Sequence, residues 1–150
     1  MRLLFFPIFF ILAFLLTPSA FAQTPPAFVS VVNPIRGDDF WDLENQKPSD
    51  AVVGQMDILK RYGVTPTWLL RFDALTDEKI VNLLKKETSH EKGLFLEVIP
   101  SWTEASGVKY QELGAWHLAG SVFLTGYSSL DRVKLIDLAF AKFQRTFGFY

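Results

Sequence analysis

The sequence predicts an α/β domain built on a parallel sheet, and two observations carry that reading. Apolar, β-rich runs recur at 28–32, 67–72 and 94–99, and helical patterns fill the intervals between them. Strand, helix, strand, helix, strand with mostly apolar strand runs implies parallel strands joined by helical crossovers and covered by them.

Taken in order, the run 28–32 (FVSVV) is the first strand. It is expected to stop at Asn33-Pro34, where the ring removes a donor and constrains the preceding residue. Residues 33–48 are polar, with acids clustered around Phe40 and Trp41. They are too many for a tight turn, and such a loop in a compact domain is usually functional or mobile. Ser49 is a good N-cap for a helix running to Tyr62, with Val52, Val53, Met56, Leu59 and Tyr62 on one face and Gly63 at the stop. The second strand, 67–72 (TWLLRF), closes at Asp73. Thr76 then caps a helix with Asp77 and Glu78 in its first turn and Lys85 and Lys86 near its end, which suits the helix dipole.

The third strand, 94–99 (LFLEVI), is halted by Pro100. Residues 101–120 read as an irregular excursion with Trp102, Tyr110, Trp116 and His117, and Val122-Phe123-Leu124 as a candidate fourth strand. Ser128-Ser129-Leu130-Asp131 resembles a capping box. It opens a strong helix whose stripe is Leu130, Val133, Ile136, Ala139, Phe140, Phe143 and Phe147, with Gly148 past its end. No exact repeat occurs, only a βα unit that recurs three to four times.

Ahead of these elements lies a leader. Met1 and Arg2 form a minimal positive start, 3–16 is an apolar run, and Thr17-Pro18-Ser19 breaks it before Ala20-Phe21-Ala22. That is the layout of a secretory signal with an A-x-A cleavage site over 1–22, followed by a linker at 23–27. The run is shorter than the roughly 20 residues of a spanning helix. Export to the periplasm or the medium is therefore expected, with membrane attachment only through an uncleaved leader.

A leader of 22 leaves 128 of the 150 residues, enough for one domain with a real core. The 15 basic and 16 acidic side chains nearly cancel, so the chain has no electrostatic footprint for nucleic acid or an anionic membrane. It has no cysteine, which excludes disulfides, thiolate nucleophiles and Cys-based metal sites. No P-loop, G-x-G-x-x-G, G-x-S-x-G or H-E-x-x-H motif is present.

The run Ile58-Leu59-Lys60-Arg61-Tyr62-Gly63-Val64-Thr65-Pro66-Thr67-Trp68-Leu69-Leu70 resembles a signature of the polysaccharide deacetylase family. Gly93 with the strand after it, and 129–149 with its Phe-Gly-Phe end, are similar to two further pieces of that family, in order and spacing over most of 28–150. The resemblance implies a distorted (β/α) barrel that removes acetyl groups from N-acetylated sugars with a divalent metal. Here it implies the N-terminal part of one, a partial barrel-like parallel sheet, because eight βα units take about 250 residues. The family's Asp-Asp pair falls near Asn33-Pro34 and its His-x-x-x-His pair near Phe95 and Ile99. Asn33 is a neutral amide, Pro34 has no side-chain donor or acceptor, and Phe95 and Ile99 cannot bind a hard or borderline cation, so metal-dependent deacetylation by the family's route is not expected, and no metal ligand or cofactor is assigned.

Strand alternation places Phe95, Glu97 and Ile99 on one face of the third strand and Thr67, Leu69, Arg71 and Asp73 on one face of the second, so that Arg71 could reach Glu97 on the adjacent strand. Asp73 and Glu97 are the candidate catalytic carboxylates, and a structural ion pair with Arg71 is the plainer reading of the same residues. Arg36, Asp38, Asp39, Trp41, Arg71 and Trp102 are the candidate glycan contacts. Acids in a Gly-containing loop are also ordinary turn formers, and Trp102 or Trp116 is equally suited to core packing. His90 and His117 lack ligand spacing and read as surface residues.

Three functional readings stay open: a deacetylase-like protein acting on envelope or extracellular glycans without the family's metal site, a non-catalytic glycan-binding module, and the front part of a longer carbohydrate-active hydrolase. Open sheet edges would favour self-association.

Overall fold

The computed structural model describes residues 29–39, 47–115 and 117–148. The leader, the linker, Trp41 and Trp116 lie outside them. Three strands, β1 (Val32–Ile35), β2 (Thr67–Leu70) and β3 (Glu91–Leu94), form one sheet in the order β1-β2-β3, and both pairs are parallel. Helix α1 (Pro48–Arg61) connects β1 to β2 and α2 (Glu78–Lys86) connects β2 to β3. Then follow α3 (Pro100–Ala105), the single turn α4 (Ala119–Val122), a 3₁₀ turn at Leu124–Gly126 and the long α5 (Ser129–Phe147). The chain is thus mixed α/β with a parallel sheet.

Asn33-Pro34 lies inside β1 rather than ending the strand before it. Thr67 N–H donates to Val31 O and Arg71 N–H to Ile35 O. The alternation of a parallel ladder then turns the backbone of Val31, Asn33 and Ile35 toward β2 and that of Pro34 away from it. The missing donor of Pro34 falls on the outer side of an edge strand, where proline is tolerated.

β3 is the second displacement. It occupies the polar residues 91–94, with register Thr67↔Glu91 and Leu70↔Leu94, and Thr67 Oγ1 donates to Glu91 across the pair. The last ladder-like bond is Phe95 N–H to Leu70 O, because β2 ends there and the chain turns at 72–76. The apolar run 95–99 therefore has no strand to pair with. It is apolar because Val98 and Ile99 enter the core. A short apolar run does not by itself distinguish a strand from buried irregular chain.

Val122-Phe123-Leu124 is likewise no strand. Val122 N–H and Phe123 N–H close a helical turn on Leu118 O and Ala119 O. The first helix begins at Pro48 rather than after Ser49, and Lys47 N–H donates to Asp50 Oδ2 across its first turn. Val52, Met56 and Leu59 face the core, while Val53 and Tyr62 are exposed.

For α2 the cap is Asp77, whose Oδ1 accepts from the N–H of Lys79 and of Ile80, at 2.8 and 3.2 Å. Thr76, the expected cap, donates its hydroxyl to Asp73 O instead. Asp77→Ala is accordingly expected to cost about 1 kcal/mol in urea unfolding and Thr76→Ala clearly less.

Half of the box expected to open α5 is present: Ser128 is the N-cap and its Oγ accepts from Asp131 N–H, but the Asp131 carboxylate takes the Ser128 hydroxyl rather than its backbone N–H. Gly148 closes the helix at φ 81°, a left-handed cap. The buried stripe is Leu135, Ala139 and Phe143, with Leu130, Val133 and Phe140 facing out, so the helix is rotated from the predicted face.

That rotation lets α5 join two core clusters. Phe143 packs with Ile35, Val52, Trp68, Leu70, Ile80 and Leu84 on one side of the sheet. Leu135 and Ala139 pack with Phe72, Val98, Ile99, Trp102 and Tyr127. Leu94, the last residue of β3, packs against both clusters.

Candidate functional site

Each parallel strand delivers charged residues to the same end of the sheet. Arg36 follows β1, Arg71 and Asp73 follow β2, and Glu97 lies three residues past β3. The Arg71 guanidinium forks onto Asp73, with Nε to Oδ1 at 2.9 Å and Nη2 to Oδ2 at 2.7 Å, and its Nη1 donates to Glu97 Oε1 at 2.7 Å. Arg36 makes a second fork onto Glu97, Nε to Oε1 at 2.9 Å and Nη2 to Oε2 at 2.7 Å. Paired forks of this kind are the strong form of a charge-assisted hydrogen bond.

The loop after β1 is tied into the same network. Asp39 N–H donates to Asp73 Oδ2, Asp39 O accepts from Arg71 Nη2, and the Asp39 carboxylate accepts from Ser101 N–H at the start of α3. Asp73 Oδ1 also takes the N–H of Ala74. Both carboxylate oxygens of Asp73 and of Glu97 are therefore bonded. Arg71 is 1% exposed and Asp73 and Glu97 are buried, whereas 42% of the Arg36 side chain is open, with its guanidinium 5.1 Å above the centre of the Phe95 ring. Such a placement is a cation–π contact.

Burial works against the charge on Glu97, but the hydrogen bonds from Arg36 and Arg71 outweigh it and hold the carboxyl below its ordinary range. The bond to Glu97 raises Arg36. Burial opposes the charge on Arg71, and the bonds to Asp73 and Glu97 overcome it, so this group too is raised. All three side chains are ionised at neutral pH.

The sign of the pH dependence follows from the depressed Glu97. Its stabilisation is full above the carboxyl's unfolded value and is lost as pH falls through the lower folded one. Unfolding free energy is expected to hold from pH 7 to about 5 and to decline below about pH 4. In Glu97→Gln the decline should be shallower, as read by urea titration at each pH.

The expected meeting of Arg71 with Glu97 occurs, although 95–99 is not a strand and alternation is not its cause. Asp39, Arg36 and Asp73 join it. Asp38 does not: it is exposed and lines a separate cavity with Lys47, Ser49 and Asp77. Trp102 is wholly buried, stacked on Phe72 at 5.9 Å, and its Nε1 donates to Leu135 O, so its ring offers no face to a sugar. Trp41 lies outside the described residues. His90, expected at the surface, is largely covered, and its Nδ1 accepts from Trp68 Nε1 at 3.1 Å. His117 is exposed.

Two partners were not legible in the sequence. The fork from Arg36 to Glu97 depends on β1 reaching Ile35, and the use of Phe95 as a ledge depends on β3 ending at Leu94.

The residues do not fit the divalent cation that the family resemblance implies. Phe95 lies under a guanidinium, Ile99 is sealed in the core, and the nearby carboxylates are saturated by Arg and amide donors. Among the described residues no three His, Asp or Glu side chains converge. Compared with protein-family models, curated proteins and solved structures, the chain finds no match.

Proposed function

We propose that this chain is an exported, polysaccharide deacetylase-like domain that binds a glycan at the carboxyl ends of its strands without the family's metal-assisted hydrolysis. The observation that supports this reading is the state of the strand-end cluster. Glu97 is held ionised, and both oxygens of the Asp73 and Glu97 carboxylates are taken up by Arg and amide donors, which leaves Glu97 no proton to give and neither group a lone pair suited to a cation. Beside them Arg36 is open to solvent, its Nη1 makes no bond among the described residues, and the Phe95 ring lies beneath it. A guanidinium edge on an aromatic face suits the hydroxyl and carbonyl oxygens of a sugar. Ligands of α/β folds settle at this end of the sheet.

The order β1-β2-β3, with all pairs parallel, is also that of successive units in a (β/α) barrel, and it supports reading the sheet as part of one. Among the described residues no helix is long and apolar enough to cross a membrane. The expectation of export rests on the leader's pattern, and N-terminal sequencing of the protein recovered from periplasm or medium tests it.

Isothermal titration of the whole chain with N-acetylated chito-oligosaccharides tests the binding, alongside an acetate assay with added divalent metals. Binding is expected, weakened roughly tenfold in Arg36→Ala by loss of a charged hydrogen bond. Robust metal-dependent acetate release, or no binding to any glycan offered, would overturn the proposal.

A further inference from the structure

A cavity of about 390 Å³ lies between α1 and α2, at the end of the sheet where β2 and β3 begin and so away from the strand-end cluster. Val53, Met56 and Leu59 from α1, Val64 from the loop before β2 and Leu83 from α2 make its walls apolar. Its polar end is Glu87, which caps α2, and His90, just ahead of β3. Asp57 and Lys60 also line it and offset one another in charge.

The His90 ring is held from behind. Trp68, wholly buried, donates its Nε1–H to His90 Nδ1 at 3.1 Å. A ring nitrogen that accepts carries no proton, so the proton of this imidazole stands on Nε2, at the other side of the ring. Nε2 lies 3.9 Å from Glu87 Oε2, too far for a hydrogen bond. Neither that N–H nor the Glu87 carboxylate makes a hydrogen bond among the described residues. The apolar groove thus ends in one donor and one acceptor, side by side and unmatched.

That pair selects a head group. A carboxylate can accept from His90 but meets the charge of Glu87, and an ammonium can pair with Glu87 but leaves the imidazole N–H facing another donor. A metal ion finds no lone pair on the protonated Nε2. A hydroxyl satisfies both sides, accepting from Nε2–H and donating to the carboxylate. Water does the same at this pair, but a hydroxyl that ends an apolar chain also covers the walls and takes their surface out of water. The volume falls within the range of small-molecule sites.

We infer that this groove binds an uncharged, largely apolar alcohol whose hydroxyl bridges His90 and Glu87; the inference uses none of the residues of the glycan reading. The full chain, carrying ¹³C-labelled methionine and leucine methyls, is titrated with hexanol, hexanoate and hexylamine. Saturable shifts at Met56 and Leu83 are expected, with hexanol binding roughly tenfold more tightly than either charged analogue, since each of those leaves one group of the pair unmatched. Glu87→Ala, at a partly exposed position, should cost hexanol about that factor and bring hexanoate level with it, because the repelling charge has gone. Val53→Trp, which fills the groove from an exposed position on α1, should abolish the shifts. Equal affinity for the three head groups in the parent chain, or silent methyls with all of them, would overturn the proposal. So would a preference for hexanol that survives Glu87→Ala undiminished.

Discussion

Arg71→Met is expected to lower unfolding free energy by about 3–5 kcal/mol, the usual cost of removing one partner from a buried ionic group. The guanidinium it deletes makes four hydrogen bonds, to both oxygens of Asp73, to Glu97 and to the carbonyl of Asp39. Methionine matches much of the stem but leaves two buried carboxylates facing each other, with Arg36 alone as countercharge. Domains of this size are typically stable by only about 5–15 kcal/mol, so a large share would be lost. Urea unfolding at pH 7 measures it. Adding Glu97→Gln to the Met variant should cost less than Glu97→Gln does alone, since one of the two carboxylate charges has then been removed. Arg71→Lys should fall between, because an ammonium keeps the charge without the fork. If Arg71→Met were within 1 kcal/mol of the parent, the cluster would not be holding the three strand ends together.

The second large effect is steric. Gly37 sits where the loop after β1 passes over the turn after β2, and a Cβ there would stand 2.7 Å from the Asp73 carbonyl carbon and 2.8 Å from Ala74 N. Backbone atoms cannot swing aside as a side-chain tip can. Gly37→Ala must therefore push the loop away from Asp73, lengthening the bond from Asp39 N–H that depends on the same approach. A loss of about 1–3 kcal/mol, the range for overpacking, is expected. Gly54 is the internal contrast: it lies exposed in α1 with nothing within 4 Å of the added carbon. There the same substitution should stabilise by about 0.5–1 kcal/mol through helix propensity. Opposite signs for one chemical change, both read from urea midpoints, would establish that contact with Asp73 is the cause.

What the sequence made legible was whatever local chemistry decides. The core of β2, the Ser128 N-cap, the left-handed stop at Gly148 and the strand–helix alternation all follow from residues that speak for themselves. The displaced elements were settled by neighbours. Polar Glu91 and Lys92 form a strand because β2 offers them a ladder, and apolar Val98 and Ile99 do not because β2 has ended. The face of α5 was ambiguous because it carries apolar residues nearly all round, and the docking of Leu135 on one cluster and Phe143 on the other resolved it. For the site, Arg71 and Glu97 were within reach of strand arithmetic. Arg36 and Phe95 were not, since each depends on a boundary misplaced by several residues.

The place of Pro34 in β1 has a consequence for how copies of this domain can meet. On the outer flank of that strand only Val32 can donate, whereas the far flank of β3 turns the full backbone of Lys92 and Leu94 outward. Recruitment of another chain is thus poor at one margin and chemically complete at the other. Association through that margin would set β3 against β3, a self-matching pair with two-fold symmetry that exhausts itself at two molecules instead of templating a fibre.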